Sequence, residues 1–275
     1  MIRRQDVSVP CCKLLAAALL ALSGLTACGS QMDSIDNPDT RPVSQAPAGI
    51  YEGRLSSTKT GVTQDVVAFL DSDKKRFLVF TEDGKLVAGG LYTATSPSLS
   101  WTAKVYRKVI TTTKDPVTGA DVTTTSTDVT TLQGQGGFEP EKSIQLTYTT
   151  SDNDFGSLTL AYSKLRYEQR SNLASLAGIW GIEDEFGLAT TRYTISQDGQ
   201  ITGSDDKTKC TYQGSLTIID LHYNLYRLSL SELCGNTTIS TIGLATLNQA
   251  PNTTETIQGV AIASDSAVAF LLDPL

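Results

Sequence analysis

Few side chains in this chain could do chemistry. His222 is the one histidine in 275 residues, and any serine–histidine nucleophilic pair would have to use it. It sits in a stretch that reads as a turn, and no Gly-x-Ser-x-Gly elbow accompanies it. The same inventory excludes a metal site rich in histidine. Neither a phosphate-cradling Walker loop nor a dinucleotide fingerprint is present. Carboxylates are what remains. Glu183-Asp184-Glu185 is the densest acidic group, and two converging carboxylates can hydrolyse a glycosidic bond. Strand neighbours point to opposite faces, so only Glu183 and Glu185 could converge. Asp152-Asn153-Asp154-Phe155-Gly156 resembles the opening of a calcium loop but lacks the third ligand and the closing glutamate, so it reads as a hairpin turn. The inventory favours a protein that is not an enzyme, with no metal and no cofactor, and leaves a hydrolase using paired carboxylates as a distant alternative.

The first 28 residues carry chemistry of another kind. Arg3, Arg4 and Lys13 precede the apolar run Leu14 to Leu25. That run is too short for a membrane-spanning helix, which needs about 20 apolar residues. It ends in Leu25-Thr26-Ala27-Cys28, which resembles the lipobox of bacterial lipoproteins. The resemblance implies that residues 1–27 are a removed signal peptide and that Cys28 carries a diacylglyceryl group. It implies a membrane as partner through that lipid. Two or three acyl chains anchor a protein stably where one does not. Gly29 stands where an aspartate would signal inner-membrane retention in enterobacteria, so the expectation is the outer membrane of the cell envelope. Residues 28–48, with Pro38, Pro42 and Pro47 among polar residues, read as a flexible tether.

Of 22 Lys+Arg and 29 Asp+Glu, residues 1–27 hold three and one, leaving 19 against 28, a net of −9. Such acidity argues against nucleic acid as a partner. Cys11 and Cys12 fall in the signal peptide and Cys28 is taken by lipid. Cys210 and Cys234 remain, an even remainder that suggests a disulfide in an exported protein. Strand register supports the pairing. If Ile218 faces Tyr226 across a hairpin around His222, then Leu216 faces Leu228, Gly214 faces Leu230 and Cys210 faces Cys234. Tyr212 opposite Glu232 is the one polar intrusion on that face.

After the tether the apolar period is two. Ile144, Leu146 and Tyr148 alternate with Gln145, Thr147 and Thr149, and turn signals such as Asp83-Gly84 and Asp198-Gly199 recur. Asn172 to Leu176 is the one expected helical turn. Ala48-Gly49-Ile50-Tyr51 and Ala177-Gly178-Ile179-Trp180 open two halves. Thr81 to Lys85 parallels Ser196 to Gln200, and Gly90-Leu91-Tyr92 parallels Gly214-Ser215-Leu216. The fold expected is all-β: two tandem antiparallel barrels of roughly eight strands, at 49–170 and 173–275, with a single larger sandwich as the alternative. Gly178-Ile179-Trp180 resembles the Gly-x-Trp that opens lipocalins and related small barrels, with Gly49-Ile50-Tyr51 as a variant. That resemblance implies an aromatic plug packed under a late arginine, a place that Arg166 could take in the first half.

Val105 to Leu132 has no counterpart in the second half. Two Thr-rich arms flank the turn Lys114, Asp115, Pro116, Val117, Thr118 and Gly119, and this long hairpin is the candidate partner-binding element. The functional expectation is a non-catalytic envelope lipoprotein that binds another protein or plays a structural part. A carrier of a small hydrophobic ligand is the alternative. It is not favoured, because many tyrosines and few inward glycines suggest filled barrels.

Overall fold

The computed structural model describes residues 45–116, 118–183, 189–249 and 254–275. Cys28, most of the tether, Val117 and the Asp184-Glu185 pair lie outside them. The chain forms two closed antiparallel barrels in tandem. The first is built from β1 (Gly49–Ser57), β2 (Thr63–Asp71), β3 (Arg76–Thr81), β4 (Leu86–Thr95), β5 (Ser98–Lys114), β6 (Asp121–Glu139), β7 (Ser143–Thr150) and β8 (Phe155–Tyr162). Two one-turn helices follow, α1 (Lys164–Tyr167) and α2 (Leu173–Leu176). The second barrel comprises β9 (Gly178–Glu183), β10 (Ala189–Ile195), β11 (Gln200–Asp205), β12 (Thr211–Ile218), β13 (Tyr226–Cys234), β14 (Thr237–Asn248), β15 (Thr256–Ile262) and β16 (Ala267–Pro274). Asn172 caps α2 as expected, its side chain accepting from Ala174 N. The turn at α1 was not expected.

The duplicated opening has a structural cause. Gly49 (φ +135°) and Gly178 (φ +154°) start β1 and β9 in backbone conformations that L side chains rarely adopt. Gly90 and Gly214 also sit on equivalent fourth strands. The parallel between Thr81–Lys85 and Ser196–Gln200 does not hold. The first joins β3 to β4, whereas the second joins β10 to β11. They share turn chemistry, with Thr81 and Ser196 hydroxyls on Asp83 and Asp198, and not a place in the fold.

Val43–Leu275 is one compact unit holding all sixteen strands. Along β7 buried and exposed positions alternate strictly, but β2 and β3 are buried on both faces. Their inner face fills the first barrel. Their outer face carries Val67, Phe69, Leu78 and Phe80 into a second core shared with Leu225, Leu244 and Val260 of the other barrel. Asp71 is fully buried at this seam and takes two bonds from Arg227, at 2.6 and 3.0 Å. Tyr167 stacks on Tyr223 at 4.4 Å. Arg166 does not pack under Tyr51. It bonds Glu52 at 2.6 Å and Gln258 of β15, because α1 carries it out of the barrel and into the seam between the two.

Candidate functional site

The two barrels differ inside. Phe77, Tyr92, Trp101 and Tyr148, each under 9% exposed, cross the axis of the first, and Phe77 stacks on Trp101 at 4.4 Å. The second encloses a cavity of about 280 Å³ lined mainly by Ile195, Ile201, Leu216, Leu228, Ile257 and Ala261. The expectation of few inward glycines fails in both barrels, since Gly53, Gly90, Gly134, Gly136 and Gly156 face inward in the first, and the expectation of filled interiors is wrong for the second. Gly203, Gly214, Gly243 and Gly259 occupy inward rungs, paired with Tyr212, Leu230, Leu228 and Phe270 or their register partners. A Cβ on Gly259 would lie 2.2 Å from the Phe270 ring, and one on Gly203 would lie 2.8 Å from the Tyr193 ring. These two rings lie along the wall over glycines.

One end of the cavity is shut by packing. Leu176, the last residue of α2, is fully buried, and Trp180 Nε1 donates to Leu176 O at 2.8 Å. Asn172 N donates to the Tyr226 hydroxyl at 2.9 Å. In the first barrel the equivalent ends are tied by Tyr51 to Ala48 O and Tyr92 to Pro47 O. The aromatic residue implied by the lipocalin resemblance thus closes a barrel end in both halves.

The other end is polar. Thr191, Tyr193, Tyr212, Glu232 and Thr241 line it. Tyr212 donates to Glu232 Oε1 at 3.1 Å, and its ring lies 5.1 Å from that of Tyr193. Burial and the carboxylates of Glu232 and Asp205 push the Tyr193 hydroxyl up to about 12. Burial, Tyr193 and Glu232 raise Tyr212 well above the usual phenol range. Both phenols therefore stay neutral. Asp205 is engaged by its own loop. Burial opposes its ionisation, but Thr191 Oγ1 at 2.6 Å and the Thr208 and Lys207 groups hold its carboxyl below the usual value. Glu232 Oε2 has no hydrogen bond among the described residues.

The barrel seam is narrow beside this end. β16 meets β9 through two pairs, Asp273–Gly181 and Pro274–Trp180, whereas β1 meets β8 through seven. Ile182 (36% exposed) and Val268 (50% exposed) flank the short seam and line the cavity. They mark its opening to solvent.

Cys210 and Cys234 form a disulfide. The register of β12 and β13 is the expected one, with Ile218 on Tyr226, Leu216 on Leu228, Gly214 on Leu230 and Tyr212 on Glu232. The disulfide sits one inward step beyond Tyr212 and Glu232, at the polar mouth. Cys210, Cys234 and Glu232 offer ligand atoms within 4.8 Å of one another, but the bonded sulfurs leave no thiolate for a metal. Asp152 and Asp154 do not form a cation site. Lys59 bonds Asp152 at 2.8 Å, Ser57 bonds Asp154 at 2.9 Å, and Arg107 lies 3.6 Å from Asp154. His222 Nδ1 pairs with Asp220 at 2.9 Å in the β12–β13 connection.

The Thr-rich arm projects. β4 pairs β5 only as far as Arg107, and β7 pairs β6 only as far as Leu132. Beyond these points Lys108 to Lys114 pairs with Asp121 to Thr127 alone, an extension of about 20 Å at the usual strand rise. At the tip Asp115 Oδ1 accepts from Thr118 N at 2.7 Å, and Gly119 (φ +70°) bonds back to Asp115 O. Lys114 ends β5 and Asp115, Pro116, Thr118 and Gly119 belong to the turn; none of them lines the cavity. The sequence offered a barrel cavity only as the disfavoured alternative and did not place it in the second barrel, although Tyr212 opposite Glu232 was visible there as a polar intrusion on an apolar face. No protein-family model, no curated protein and no solved structure matches this chain.

Proposed function

We propose that this chain is a lipid-anchored, non-catalytic binding protein of the bacterial envelope whose second barrel holds a small hydrophobic ligand. One observation carries this reading: an apolar cavity of about 280 Å³ with one closed end and one polar end. Its size is close to the lower bound of ligand pockets. A cavity of about 150 Å³ accepts benzene, so this one has room for two rings or a medium alkyl chain. An unfilled cavity also lowers stability. At about 24 cal/mol per Å³ the upper bound is about 7 kcal/mol, which a bound hydrophobe would offset. The first barrel, filled and joined through a shared core, serves as a rigid mount, and Cys28 with residues 29–46 supplies anchor and tether, Pro47 and Ala48 being already tied to the barrel. A protein partner remains the second reading, favoured by the arm, whose two strands offer unpaired backbone edges to an added strand.

The test is Nile red fluorescence with residues 43–275. Wild type should bind the dye with saturation, and Ala261→Phe, which places a ring in the cavity, should lose it. Equal binding by both proteins would put the dye elsewhere and remove the basis for a carrier.

A further inference from the structure

We infer that the ligand of the second barrel is a hydrophobic amine, seated tail-inward with its protonated head on Glu232; this rests on the cavity reading above. The walls require an apolar body, because Ile195, Leu216, Leu228 and Ala261 offer no hydrogen-bond partner to a buried polar group. The mouth decides the head. Glu232 is the carboxylate of the polar end among the described lining residues, and Tyr212 satisfies one of its oxygens. The second oxygen has no partner among the described residues and accepts only. Tyr193 and Thr191 add neutral hydroxyls at the same level, and Asp205 is already held by its loop. Among the described residues no Lys or Arg lines the cavity. A carboxylate or phosphate head would meet Glu232 with like charge and no compensating cation. An ammonium head donates up to three hydrogen bonds and supplies the missing opposite charge. The acidic chain, net −9 from Cys28 onward, favours approach of a cation in the same sense.

The test is displacement of Nile red from residues 43–275 at pH 7 by octylamine, octanol and octanoate, which share a chain and differ in head. Octylamine should displace the dye at about one tenth of the octanoate concentration or less. In Glu232→Gln, which keeps an acceptor for Tyr212, octylamine should fall to within about threefold of octanol while Nile red still binds. Tyr212→Phe, which frees both Glu232 oxygens, should keep the amine preference. Octanoate equal to octylamine in wild type overturns the inference, as does an amine preference that survives Glu232→Gln. Failure of wild type to bind Nile red at all is a different result and overturns the cavity reading itself.

Discussion

Tyr212 donates its hydroxyl to Glu232 Oε1 at 3.1 Å across a rung of β12 and β13, on the inward face of the second barrel. A charged side chain inside a barrel is costly unless it has partners. Here one oxygen is satisfied by a phenol kept neutral by burial, and the other has no hydrogen bond among the described residues. Replacing Tyr212 by Phe removes a hydrogen bond to a charged group and should lower unfolding stability by about 1.5–3 kcal/mol, within the range for such bonds. Urea denaturation measures this directly, and a loss below about 0.5 kcal/mol would mean that the pair is solvated in solution.

The disulfide fixes the spacing of these two strands. Cys210 and Cys234 are 24 residues apart, and a loop of that size is worth about 3.5 kcal/mol in the chain-entropy model. The double variant Cys210→Ala, Cys234→Ala should lose stability of that order in denaturant. The transition of the second barrel should move with it, because the cross-link lies within β12 and β13.

The seam between the barrels predicts an acid limit to stability. Burial would raise the carboxyl of Asp71, yet the Arg227 bonds and the backbone N–H groups of Lys74 and Asp73 outweigh it and hold it low. A group lowered on folding contributes fully above its unfolded value, about 3.9 for aspartate, and loses that contribution as pH falls through the folded value. Asp83 and Asp152, each held at about 2 by hydroxyl and lysine partners, act in the same sense. Stability should therefore drop between about pH 4 and pH 2. Arg227→Ala leaves the buried Asp71 without its guanidinium and with only the Asp73 and Lys74 N–H groups as donors, and should cost about 3–5 kcal/mol at pH 7. In that variant the drop should begin at higher pH, which thermal unfolding across pH will show.

Much of the barrel architecture was legible in the sequence. Strict alternation at Ile144–Tyr148 follows from strands with one face inward and one in water, and the β12–β13 register followed from matching apolar rungs. The shared core between the barrels went unread, although Val66 to Leu70 and Phe77 to Phe80 are continuous apolar runs, the mark of a strand covered on both faces. The cavity was not legible, because volume depends on where rings lie. Phe270 and Phe77 are both inward aromatics, but Phe270 rests over Gly259 and Phe77 stacks across the axis on Trp101. Composition does not distinguish these placements.

The arm should be dispensable for folding. The described residues of 111–127 are exposed except Asp115, which is half-buried, so the arm buries almost nothing. Replacing residues 109–126 by Asn-Gly, a two-residue turn suited to hairpins, should leave the melting temperature within about 2 °C, since surface changes rarely exceed about 0.5 kcal/mol. A drop of 10 °C would show that the arm supports the barrel.

The central claim is that the second barrel holds the ligand, and methyl NMR of residues 43–275 titrated with octylamine tests it most directly. The account predicts saturable shifts for Ile195, Ile201, Leu216 and Leu228, with Leu158 and Leu160 of the first barrel unmoved. Shifts confined to the seam residues Val67, Leu244 and Val260, or no saturable shift at all, would contradict it.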